Sequence, residues 1–185
     1  MRWTAFMLLV TVLVAGCGGA RTTDLTPEAN KETLRNMPDW FTDVPSDSDY
    51  LFATATMTSR DVQNSIQRAK TQAQRDLAEQ LEANLGAKTK QFREEVGVQE
   101  DSEMLEFSSE AIQVVTVQAM NGARVDKKEI VTEGTIYRAY VLMRLPLGEA
   151  NQALMEQIKA NSRLHTELRS SKAFQELEAE IAKRE

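Results

Sequence analysis

Few side chains in this chain are of a type that does covalent chemistry, and their spacing narrows the choice at once. Cys17 is the single cysteine and His165 the single histidine. One cysteine closes no internal disulfide, and one histidine does not make a zinc site. Neither G-x-S-x-G nor H-E-x-x-H occurs, so two common hydrolase signatures are missing. Carboxylates crowd between Arg93 and Glu110 without the D-x-D-x-D-G order that gathers oxygens around calcium. That stretch reads as a solvated loop running into a helix. His165 falls in a polar helical segment and reads as solvent-exposed. A two-carboxylate glycosidase would leave no mark in sequence, because the separation that matters is spatial. No residue is assigned a catalytic, cofactor-binding or metal-binding role.

Cys17 stands at the end of "MRWTAFMLLVTVLVAGC". Arg2 precedes an uncharged run from Trp3 to Val14. As a helix that run would rise about 18 Å, against the roughly 30 Å hydrocarbon core that a membrane span must cross. A basic start, a short apolar middle and small residues at the end describe a secretory signal peptide. The ending Leu13-Val14-Ala15-Gly16-Cys17 resembles the lipobox of bacterial lipoproteins. That resemblance implies a thioether from the Cys17 sulfur to diacylglycerol, cleavage between Gly16 and Cys17, and acylation of the new amino group. The residues suit these steps: sulfur is the nucleophile, and small side chains at Ala15 and Gly16 admit the backbone to a peptidase. The alternatives are a membrane-spanning anchor, or a free thiol in a signal cut elsewhere. Gly18 follows the cysteine where inner-membrane lipoproteins often carry aspartate, which points to the outer membrane, with the body facing the periplasm.

Composition bounds what such a body does. The chain has 185 residues, 42% hydrophobic and 27% charged, which suits one globular domain. Its formal net charge is −6, so nucleic acid is repelled at long range and is not an expected partner.

The elements follow from hydrophobic period. Residues 17–37 are polar, with Gly18-Gly19 and Pro27, and read as a tether; as a coil they would span about 25 Å. A short helix near Pro27–Leu34 is compatible with Thr26-Pro27-Glu28 as its start. Pro38 and Pro45 bracket Trp40-Phe41, read mainly as a lid on the end of the core. Tyr50–Met57 alternates as a strand, with Leu51, Ala53, Ala55 and Met57 on one face. Residues 59–88 carry Val62, Ile66, Ala69, Ala73, Leu77, Leu81 and Leu85 at steps of three and four, an amphipathic helix that Gly86 weakens at its end. A second helix over about Ser102–Ala119 buries Met104, Phe107, Ala111, Val115 and Ala119. Residues 123–132 and 135–145 form two antiparallel strands joined at Glu133-Gly134. The second has an apolar face of Tyr137, Ala139, Val141, Met143 and Leu145, and a mixed face of Ile136, Arg138, Tyr140, Leu142 and Arg144. After Pro146 the chain runs helically to its end, with a phase slip near Ser170-Ser171. The expected class is therefore α+β: a small antiparallel sheet packed against amphipathic helices, with a long C-terminal helix.

This layout resembles the LPP-twenty family of small bacterial lipoproteins, which includes a flagellar outer-membrane member. The resemblance is carried by Pro38-Asp39-Trp40, the strand ending Ala53-Thr54-Ala55, the helix "SIQRAKTQAQRDLAEQL" and the strand "GTIYRAYVLMRL", across residues 37–160. Thr54 or Thr56 stands where members tend to have glycine. The family implies a compact α+β domain with envelope or flagellum-associated structural roles, and it transfers no catalytic residues. The expected organisation is a signal over 1–16, an acylated cysteine and tether over 17–37, an LPP-twenty-like domain over 38–160 and a helical extension over 161–185.

Two functional classes follow. The first is a non-enzymatic lipoprotein that is held on the membrane by acyl chains on Cys17 and needs no other cofactor. It would form a homo-oligomer or dock on an envelope or flagellar protein. The expected partner surface is Trp40 with the mixed face Ile136, Arg138, Tyr140, Leu142 and Arg144, joined by a projecting arm bearing Leu164, Leu168, Phe174, Leu177 and Ile181; the alternative for that arm is an exposed, fraying terminal helix. The second is a module binding cell-wall glycan or a small ligand, lined by Trp40, Tyr50, Tyr137 and Tyr140.

Overall fold

The computed structural model describes residues 31–98 and 100–183. Cys17, the signal and residues 27–30 lie outside that range. Within it the order is α1 (Lys31–Arg35), α2 (Asp39–Thr42), β1 (Tyr50–Ser59), α3 (Val62–Val96), α4 (Ser102–Ala119), a 3-10 turn at Met120–Gly122, β2 (Arg124–Glu133), β3 (Ile136–Pro146), α5 (Leu147–Ala160), α6 (Ser162–Leu168) and α7 (Lys172–Ala182). The fold is α+β, as the alternation and helical stripes predict.

The three strands form an antiparallel sheet in the order β1-β3-β2. Gly134, at φ +58°, makes the tight turn between β2 and β3. Strand parity divides β3 between two faces. Ala139, Val141, Met143 and Leu145 pair with Met57, Ala55, Ala53 and Leu51 on the helix side. Arg138, Tyr140, Leu142 and Arg144 pair with Thr58, Thr56, Thr54 and Phe52 on the outer side.

Helix α3 organises everything else. Asp61 starts it by accepting the Asn64 N–H, and its buried stripe runs Ser65, Ala69, Ala73, Leu77, Leu81, Leu85, Thr89 and Phe92. The small residues Ala69 and Ala73 belong to one buried cluster with Ala53, Ala55 and Ala139, so helix and sheet approach closely. At 1.5 Å per residue α3 is about 52 Å long, whereas a ten-residue strand covers about 33 Å. The first part of α3 therefore lies on β1 and β3, and the rest collects α4, α6 and α7.

Three expectations need correction. The helix does not weaken to a stop at Gly86. It continues to Val96 because Thr89 and Phe92 extend the buried stripe, and it ends where Gly97 turns left-handed at φ +79°. The Gly97 N–H bonds the Arg93 and Glu94 carbonyls and the Val98 N–H reaches Arg93, closing the last turn. The acidic stretch is thus mostly helix, divided by a short turn.

The C-terminal segment is not one long helix. Asn161 accepts the Arg163 and Leu164 N–H groups to start α6, and Ser171 accepts the Phe174 N–H to start α7. Each cap breaks the rod and lets the next helix fold back. Leu164, Leu168, Phe174 and Leu177 are buried in the same cluster as the sheet residues. Residues 162–182 are therefore part of the domain and not an extension from it. The ring of Phe174 stands edge-on to Phe92 at 5.7 Å. His165 is half-buried beside the same Phe174 ring, at 6.1 Å, and not fully exposed.

Finally, residues 31–37, expected as the end of a tether, include α1, whose Thr33 carbonyl accepts the Tyr140 hydroxyl. Residues 31–37 belong to the body.

Candidate functional site

The mixed outer face of β3 was the expected partner surface, and the structure covers its centre. Tyr140 and Leu142 are both fully buried. Phe41 of α2 lays its ring edge-on against Tyr140, with centroids 5.0 Å apart, and Trp40 stands edge-on to Phe41 at 6.3 Å. The lid reading of Trp40-Phe41 fits, with Phe41 as the part that reaches the sheet.

Polar contacts pin the same segment. Arg138 holds Glu133 with two parallel bonds, Nε to Oε1 at 2.7 Å and Nη2 to Oε2 at 2.9 Å. The Thr33 hydroxyl donates to Glu133 Oε1 at 2.8 Å, and the Tyr140 hydroxyl donates to the Thr33 carbonyl at 3.4 Å. The bond from Arg138 holds the Glu133 carboxyl below its ordinary range, against a smaller opposing effect of burial. The Arg138 guanidinium is raised by the same partner. Burial pushes the Tyr140 phenol up. A bidentate pair on a strand end, satisfied on both sides, anchors structure and has no unpaired proton to give.

The remaining expected surface residues separate. Ile136 and Arg138 are half-buried, and Arg144 is exposed at the other end of the face, where it pairs with Asp126 at 3.5 Å and lies over the Tyr50 ring at 5.4 Å. Leu164, Leu168, Phe174 and Leu177 are core, and Ile181 packs against it. These residues do not form one open surface.

The aromatic set proposed for a ligand also divides. Tyr140 is buried on the outer face, while Tyr137 lies on the helix side, opposite Thr132 and Ser59. A cleft of about 180 Å³ lies between α3 and α7, lined in part by Phe92 and Leu177. Another of about 230 Å³ is lined by Lys90, Arg93, Glu94 and Leu105. Both fall below the ~300 Å³ at which small-molecule sites usually begin. Among the described residues no group of three or more His, Cys, Asp or Glu is placed to hold a metal ion. No described helix is long and apolar enough to cross a membrane.

Two further carboxylate clusters are structural in geometry. Glu95 Oε2 accepts the Ala173 N–H at 2.9 Å and the Ser171 hydroxyl at 2.7 Å, so it docks the start of α7 onto α3. Those bonds, the Ala173 amide first, hold its carboxyl below the usual range. Arg163 binds Glu167, Glu103 and Asp101, tying α6 to the start of α4, and its guanidinium is raised by them.

Sequence reasoning passed over the helix side of β2. Val125 and Ile130 are exposed there beside Tyr137. Period-two alternation sets these two, five residues apart, on opposite faces; the irregularity between Val125 and Lys127 brings both to the helix side.

No family model matches the chain, and no curated protein is similar to it at a significant level.

Proposed function

We propose that this chain is a bacterial lipoprotein, fixed by diacylglycerol and an N-acyl chain on Cys17 to the outer membrane and facing the periplasm. Its role is non-catalytic, structural or assembly-directed. The observation that carries the reading is the short apolar run ending Leu13-Val14-Ala15-Gly16-Cys17, with no other cysteine in the chain. Two or three acyl chains, at about 0.8 kcal/mol per buried methylene, hold a protein on a bilayer for practical purposes permanently. Confinement to a surface raises local concentration, so modest contacts between bodies become effective. The layout that resembles LPP-twenty lipoproteins supports an envelope role and makes flagellar structures the first partners to examine.

The test is the processed mass and membrane partition of wild type and Cys17→Ser. The wild type is expected to carry the mass of lipid on a chain starting at Cys17 and to stay with outer membranes. A mass difference of no more than sulfur for oxygen, with equal partition of the two, would overturn the reading. Crosslinking on intact cells, with partners identified by mass spectrometry, tests the assembly role; a partnerless monomer would count against it.

A further inference from the structure

The helix layer is narrower than the sheet it covers. Helix α3 lies on β1 and β3, and the principal neighbour of β2 is β3 alone. Arg68 and Gln80, on one flank of α3, reach the Thr58 and Phe52 carbonyls of β1. The opposite flank, with Lys70 and Gln74 by helical spacing, therefore borders the helix side of β2. On that side β2 presents Val125, Lys128, Ile130 and Thr132, paired with Met143, Val141, Ala139 and Tyr137. Val125, Ile130 and Tyr137 are each between 37% and 39% exposed. The result is a slot beside α3, apolar along its floor. Neither Lys70 nor Lys128 is in an ion pair among the described residues. Packed helices lie about 8–10 Å apart, roughly twice the spacing of strands, so the space over β2 next to α3 is the width of one helix.

The same chain carries a helix face of matching chemistry. The buried side of α4 is Met104, Ser108, Ala111, Val115 and Ala119. On the opposite side Glu106, Glu110, Gln113 and Val117 fall in line at helical spacing, with Val114 alongside. Val117 is 69% exposed and Val114 43%. Glu106 and Glu110 have no ion-pair partner among the described residues. From Glu106 to Val117 this face spans about 17 Å, against about 23 Å along β2 from Val125 to Thr132. An acidic and valine-bearing helix thus faces outward on a molecule that also has a basic, apolar slot for one helix. Exposed apolar residues grouped in this way mark interaction surfaces.

We propose that the slot over β2 receives helix α4 of a second copy of this chain, with Glu106 and Glu110 toward Lys128 and Lys70, and Val114 and Val117 toward Ile130 and Tyr137. The contact joins unlike faces. Parallel pairing of α4 with α4 would set carboxylates against carboxylates, antiparallel pairing would set Glu106 against Val117, and pairing β2 edges about a two-fold at Lys128 would bring like charges together. Contacts between unlike faces either close a ring, exchange reciprocally, or propagate. The inference rests on the assembly reading and names its surface.

The processed, lipidated chain in excess detergent is measured by light scattering that separates protein from detergent mass. The wild type is expected to assemble at concentrations up to about 0.1 mM, in the weak range open to a membrane-confined protein. Val117→Glu and Ile130→Glu should each raise the concentration needed by about tenfold or more, as loss of a central apolar contact does. Mixing these two variants should restore association, because one intact α4 face meets one intact slot. Glu110→Lys with Lys128→Glu in one chain should recover what each loses alone. Circular dichroism and melting curves confirm that each variant folds, and a variant that does not fold is replaced by Val114→Ser or Tyr137→Ser. A monomeric wild type, or a mixture that stays monomeric, overturns the proposal. Normal assembly of both single variants also overturns it, while leaving an assembly role on some other surface; the lipid anchor fails separately, on Cys17→Ser.

Discussion

The ring of Phe41 meets that of Tyr140 edge-on, with centroids 5.0 Å apart and planes at 74°. That contact converts the outer face of β3 from an open surface into a second, smaller core. It also ties the first described helices to the sheet, since α1 and α2 are held there by Thr33 and by Phe41.

Phe41→Ala should destabilise the fold by about 2 kcal/mol, roughly half the cost of a fully buried phenylalanine, because Phe41 is half-buried. Trp40 reports the change directly, since its fluorescence should shift to the red as α2 loosens. Urea unfolding followed at Trp40 is the measurement, and an unchanged midpoint would mean that the lid contributes no stability.

Acid should loosen the same face. The Glu133 carboxyl is held below its unfolded value by Arg138. A depressed carboxylate contributes stability that is present above the unfolded value and is lost as pH falls through the folded one. Stability should therefore decline below about pH 4.5, the ordinary carboxylate value, and this part of the decline should vanish in Glu133→Gln. At neutral pH Arg138→Ala should cost about 2 kcal/mol, because it leaves a largely buried carboxylate with only the Thr33 hydroxyl. Denaturation midpoints across pH 3 to 7 for the three proteins check both statements.

Gly86 and Gly97 should respond to alanine with opposite signs. Gly86 lies inside α3 with nothing within 4 Å of an added Cβ, so Gly86→Ala should stabilise by about 0.5–1 kcal/mol. Gly97 ends α3 at φ +79°, where alanine is strained, so Gly97→Ala should destabilise by about 1 kcal/mol. Thermal melts of the two variants decide it, and a shared sign would contradict the helix running through to Val96.

Phe174→Ala should cost about 3–5 kcal/mol, as for any phenylalanine removed from a packed interior. The side chain is fully buried against Phe92. Deleting residues 162–185 should accordingly unfold or loosen the domain as well as altering any binding. A neutral Phe174→Ala, measured by chemical unfolding, would mean that the last two helices are not docked.

The amino-acid pattern alone was enough for the class of fold and for most of its elements. Period-two alternation places Ala53 and Ala55 inward on β1, and steps of three and four place Ala69, Ala73, Leu77, Leu81 and Leu85 along α3, because these spacings are local properties of the backbone. The phase slip at Ser170-Ser171 marks the break before α7. Cys17 and its neighbours likewise speak through adjacency in the chain.

Only the tertiary structure decided what lies against each apolar or mixed face. Thr33 and Glu133 meet across a separation of 100 residues, and Phe41 finds Tyr140 across a similar one. Glycine at position 86 reads as a helix end until Phe92 and Phe174, far apart in sequence, are seen to bury one another. Periodicity tells that a face must be covered, since exposed apolar area is costly, but it carries no information on which distant segment covers it or where cover runs out. That is why Leu164 and Phe174, which read as an arm for a partner, turn out to be core, and why the uncovered slot beside α3 had no trace in the sequence.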